Sequence, residues 1–117
     1  MKPFSRILVP VDFLPHSAEA VRRAMDLASP HSAEVVLLHV YEPARYPATP
    51  GDVVYDAEPF VRMTLGIRAR LEATRREVDP MDRHRITTIV LQGTPVDSIV
   101  ELANRERFDL IVMGTHG

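Results

Sequence analysis

The chain has no cysteine among its 117 residues, which removes disulfide frameworks, thiolate nucleophiles and cysteine-ligated zinc together. No apolar stretch approaches the roughly 18 to 20 residues needed to span a bilayer. The amino terminus, Met1-Lys2-Pro3-Phe4, lacks a signal-peptide pattern, so a cytoplasmic protein is the default expectation. A strong charge of one sign is missing too: 14 Lys and Arg against 16 Asp and Glu give a net charge of -2, which offers nothing to a nucleic-acid partner. Glycine is sparse at 5 residues, while 10 prolines punctuate the chain without suggesting disorder. What remains is an ordinary globular composition, 45% hydrophobic and 26% charged, long enough for one domain with a real core.

The most informative stretch is Asp109 to Gly117, D-L-I-V-M-G-T-H-G. Leu110, Ile111, Val112 and Met113 form an apolar run without polar alternation, the pattern of a strand covered on both faces of a parallel sheet. Gly114 and Gly117 bound a turn in which the backbone can bend sharply and approach a ligand. In an open parallel sheet, ligands sit just past the carboxyl ends of the strands.

The other elements follow in order. Ile7 to Val11 (I-L-V-P-V) predicts a buried strand with Pro10 at its carboxyl end, where pairing stops. Ser17 is the expected N-cap of a helix with Ala18, Val21, Met25 and Ala28 at helical spacing, ended by Ser29-Pro30. Glu34 to Val40 predicts the second strand. Tyr41 to Asp56, with Pro43, Pro47, Pro50 and Gly51, predicts a long functional or mobile loop. A second helix from Glu58 carries Met63, Ile67, Leu71, Thr74 and Val78 on one stripe, with an arginine-rich solvated face opposite. Ile86 to Leu91 predicts the third strand. Thr94-Pro95-Val96-Asp97 is a helix start, and Val96, Ile99, Val100 and Ala103 give its apolar stripe. The alternation β-α-β-α-β-α-β specifies an α/β fold with a mainly parallel sheet and right-handed crossovers.

Four fragments in this order, I-L-V-P-V-D-F, L-L-H-V, Q-G-T-P and D-L-I-V-M-G-T-H-G, resemble the universal stress protein family across nearly the whole chain. The resemblance implies a doubly wound, flavodoxin-like or Rossmann-like sheet of strand order 3-2-1-4-5, a homodimer, and ATP binding, with or without magnesium, in a regulatory stress-response protein without a settled catalytic reaction. It maps the start of the family's nucleotide pattern onto Gly114 and Gly117. The rest of that pattern, a further glycine followed by Ser or Thr, and the fifth strand are absent from this sequence. Residues 1–117 are accordingly expected to be one universal stress protein domain lacking its last phosphate loop and strand.

In the implied strand order, strand one lies between strands two and four at a topological switch point, so the loops after Val11 and Met113 face one crevice. The resemblance assigns nucleotide contact there to Pro10, Val11, Asp12, Val40, Met113, Gly114 and Gly117. Asp12 would accept hydrogen bonds from ribose or adenine, Val11 and Val40 would line the base, and the Gly114 to Gly117 amides would cradle phosphate. Asp12 also reads as a turn or capping residue, and the glycines as a tight turn without a ligand. Arg45 and Tyr46 in the long loop are candidates to close over a nucleotide, although ordinary solvated loop residues fit equally. His39 and His116 lack further ligands at metal spacing, and His39 fits better as a partner for a backbone group at a strand end. No positioned nucleophile, base or metal cluster supports an enzyme reading. The alternative function is a dimerising interaction module that binds no nucleotide; an unpaired, apolar edge on strand four would favour self-association.

Overall fold

The computed structural model describes residues 4–42 and 57–114, the side chains of the second stretch from residue 61. The expected closing residues Arg45 and Tyr46, and residues 115–117 with His116 and Gly117, lie outside the described residues. In chain order the elements are β1 (Arg6–Pro10), α1 (Pro15–Ala28), a 3-10 turn (Ser29–His31), β2 (Glu34–Tyr41), α2 (Ala57–Val78), β3 (Ile86–Gln92), α3 (Pro95–Arg105) and β4 (Leu110–Ile111). The four strands form one parallel sheet in the order β3-β2-β1-β4. This is the doubly wound architecture expected, without a fifth strand among the described residues.

Side chains alternate across the sheet because successive residues of a strand point to opposite faces. Ile7, Val9, Val35 and Leu37 pack with Val21, Ala24 and Met25 of α1 and Leu71 of α2 on one face. Leu8, Val36 and Leu38 meet Ile99 and Leu102 of α3 on the other. The two central strands are therefore buried on both sides, which is why their sequences are continuous apolar runs.

Four local expectations change. The Leu110 to Met113 run is not covered on both faces: β4 is only Leu110–Ile111, and Ile111 and Met113 are exposed. Ser17 is not the N-cap of α1: Leu14 occupies that position and Pro15 is the first helical residue. A proline at the first position loses no hydrogen bond and is pre-set in φ, so the helix begins earlier than the hydroxyl suggested. The buried Ser17 hydroxyl instead donates to the Leu14 carbonyl at 3.1 Å and accepts the Asp12 N–H at 3.3 Å. On α2, Leu71 is fully buried and Ile67 and Val78 pack on the core, but Met63 is exposed. On α3, Ile99 and Leu102 face the sheet, whereas Val96 and Val100 are 70% and 50% exposed. Of the expected stripe, Ile99 and Ala103 do pack on the sheet, and the seating of α3 on Leu8, Val36 and Leu38 brings in Leu102 in place of Val96 and Val100.

Pro10 closes β1 for a specific reason. Val11 donates to Leu38 of β2 at 2.7 Å, and Leu8 accepts from Val112 beyond β4 at 2.9 Å, so alternation turns Pro10 toward β4. Having no N–H to donate there, Pro10 ends that ladder after the Leu8 and Ile111 pair. The two strands part at their carboxyl ends. At their other end Asp109 fastens them, accepting the backbone N–H groups of Ser5 and Arg6, each at 2.8 Å.

Candidate functional site

A crevice of about 170 Å³ opens where β1 and β4 part. Pro10, Val11, Asp12, Val40, Met113 and Gly114 all line it, so six of the seven residues singled out from the sequence come together. The seventh, Gly117, lies outside the described residues. Val11, Leu38, Val40, Ile99 and Met113 supply apolar walls, and the Asp12 carboxylate is the one acidic group on the lining among the described residues. The first turn of α1 contributes His16 and Ser17, and the first residue of α3, Pro95, borders the opening. Two helix N-termini, with their partly positive unpaired N–H groups, therefore face the crevice from opposite sides of the sheet.

Asp12 is held by its own turn. Oδ1 accepts the Leu14 N–H at 2.9 Å, and Oδ2 accepts from His16 Nε2 at 2.7 Å. Partial burial raises the carboxyl pKa, but the Leu14 N–H, the Ser17 hydroxyl and His16 together outweigh it, leaving the pKa below the usual value. Asp12 is thus an ionised acceptor with 43% of its side chain still open to a ligand hydroxyl or amine.

His16 is the second residue of α1, and its ring meets the Asp12 carboxylate. Its spacing from Asp12, four residues across a helix start, is the signal that links them. Gly114 is required beside it: an added Cβ would stand 2.5 Å from the His16 carbonyl oxygen and 2.7 Å from its ring. The close approach that a glycine permits here is to the first turn of α1. His39 is a backbone partner, as expected, with Nδ1–H donating to the Val11 carbonyl at 2.6 Å. Its ring also packs on Phe13 at 4.8 Å between centroids, a contact that no local pattern announces.

The crevice is smaller than the roughly 300–1,000 Å³ of typical small-molecule pockets, so it takes one ring-sized part of a ligand and leaves the remainder outside. An ionised acceptor, apolar walls and flanking helix N-termini suit a flat heterocycle carrying hydroxyls and an anionic group.

The family model described as the universal stress protein family matches residues 3–117. The chain belongs to the universal stress protein family. A universal stress protein of Thermus aquaticus is 34% identical over 116 residues, covering 97% of this chain and 79% of that protein. Among solved structures, universal stress protein UspA from Lactobacillus plantarum superposes with a TM-score of 0.72 at 27% identity, over 97% of this chain and 79% of that one. Another universal stress protein, crystallised in complex with cAMP, gives a TM-score of 0.67 at 24% identity, over 92% and 70% of the two chains. For this universal stress protein, then, family membership, the parallel sheet and the crevice at its switch point agree. No helix among the described residues is long and apolar enough to cross a membrane.

Proposed function

We propose that this universal stress protein binds an adenine nucleotide, ATP or cAMP, in the crevice between β1 and β4, as a cytoplasmic regulator of a stress response. The observation that carries this reading is the placement of the ionised Asp12 among apolar walls at the topological switch point. In it, Val11, Val40 and Met113 hold the base, Asp12 accepts from a ribose hydroxyl or the adenine amine, and the amides around Gly114 and Gly117 face phosphate. Pro10 contributes by keeping β1 and β4 apart. A family relative solved with cAMP supports adenine as the flat, apolar part of the ligand. No catalytic step is assigned beyond, at most, slow hydrolysis of bound ATP.

Calorimetric titration with ATP and magnesium, and separately with cAMP, tests the reading. Saturable heat that is lost in Asp12→Ala supports it. No heat with either ligand at millimolar concentration rejects it.

A second reading, a dimerising interaction module without nucleotide, draws on a different observation. Val96, Val100, Ile111 and Met113 are exposed apolar residues on α3 and the β4 edge, the surface type that pairs with a second chain.

A further inference from the structure

A larger cavity, about 310 Å³, lies between α1 and α2 on the face of the sheet those helices cover, adjoining the crevice at Val11 and Ser17. Val11, Val21 and Val78 form its apolar floor, and Ala73 stands on its α2 wall. Its upper end is built by Phe13 and Arg70. Phe13 sits at φ 65, a left-handed conformation that bulky side chains rarely adopt and that persists only where surrounding contacts hold it. The ring packs on His39 and carries the Arg70 guanidinium 4.1 Å from its centroid.

The charges around the cavity are uneven. No carboxylate pairs with Arg70 among the described residues, and its guanidinium lies over the Phe13 ring. Arg22, by contrast, is neutralised by Glu19 at 3.0 Å. Glu77, the acidic residue on the lining, lies two helical turns beyond Arg70, about 11 Å along the axis. One end of an apolar cleft therefore carries an unneutralised planar cation stacked on an aromatic ring. A guanidinium in that state presents its fork of N–H donors to a carboxylate, while its stacked face stays satisfied.

We propose that the α1–α2 cleft is a second ligand site, for a compact organic carboxylate with a flat, apolar body. The carboxylate pairs with Arg70, and the body lies along Phe13, Val21 and Val78. The volume falls at the lower end of the usual range for small-molecule pockets, which limits the body to about the size of a fused two-ring system. Nucleotide phosphate is a poor fit, because Glu77 and the apolar floor face the rest of such a molecule.

The probe is 1-naphthoate, with neutral 1-naphthylmethanol as comparator, titrated into the 15N-labelled protein. The expected result is saturable shifts of the Val21, Ala73 and Val78 amides by 1-naphthoate. Arg70→Gln weakens its affinity about ten-fold, down to that of the neutral alcohol. Ala73→Leu, which fills the cleft from an exposed position, removes the shifts while the thermal melt confirms a folded chain. The proposal is overturned if 1-naphthoate gives no saturable shifts at millimolar concentration, if the shifts map only to the Asp12 crevice, or if the folded Arg70→Gln or Ala73→Leu protein binds as the parent does.

Discussion

Gly114 rests against the backbone of His16, with room for a hydrogen and none for a methyl group: a Cβ would lie 2.6 Å from the His16 carbonyl carbon. The obstacle is backbone, which cannot swing aside as a side chain can. Gly114→Ala therefore pushes the segment after β4 away from the first turn of α1. The expected cost is about 1–3 kcal/mol, the usual range for overpacking, read from chemical denaturation. The Asp12 and His16 contact at 2.7 Å should loosen at the same time, visible as a shift of the His16 ring resonances.

Gly66 makes the opposite case. It lies within α2, exposed, and a Cβ there meets nothing within 4 Å. Gly66→Ala should stabilise the protein by about 0.5–1 kcal/mol through helix propensity and a less flexible unfolded chain. An unchanged or lower denaturation midpoint would contradict the environment described for this position.

Asp12 is the ligand acceptor of the proposed nucleotide site. Removing its charge while keeping its shape, in Asp12→Asn, should weaken ATP or cAMP binding at least about ten-fold, the scale of one charge-assisted hydrogen bond. The melting temperature should fall only slightly, since the Leu14 N–H can still donate to the amide oxygen. Equal affinity of parent and variant in calorimetry would remove Asp12 from the site.

Asp79 closes α2 and should contribute to the acid limb of stability. Its side chain accepts from the His84 ring and from the Arg83 and His84 N–H groups at 3.1, 3.0 and 2.9 Å. The His84 hydrogen bond first, and then the two backbone donors, lower its pKa from 3.8 to about 2 despite burial. A carboxyl whose folded pKa is depressed binds protons more readily when unfolded, so its stabilisation is complete above about pH 4 and disappears as pH falls toward 2. Asp79→Asn should lower the melting temperature at pH 7 and flatten its decline between pH 4 and pH 2. Parallel melting curves for parent and variant across that window would refute this assignment.

The exposed valines of α3 provide the test of the dimerising module. Val96→Lys together with Val100→Glu should leave the melting temperature within the small range of surface substitutions, since neither side chain is in the core. If self-association uses this face, sedimentation velocity should shift toward monomer. An unchanged distribution of species would place any interface elsewhere.

Sequence alone determined the order and type of the elements, because continuous apolar runs in β1, β2 and β4 and helical stripes in α1 and α2 are local patterns that survive folding. It also marked the crevice residues, since a ligand site at a switch point follows from strand order, and the family fragments supplied that order. Tertiary structure decided the rest. Ser17 left the capping position because Pro15 set the helix start and Asp12 needed a partner. Val96 and Val100 came to face outward because α3 seats Ile99, Leu102 and Ala103 on the sheet. Phe13, His39 and Arg70 are distant in sequence and share no periodicity, so their stacking existed in no local pattern. Periodicity records which residues can be buried together; which of them actually meet depends on how the helices pack on the sheet.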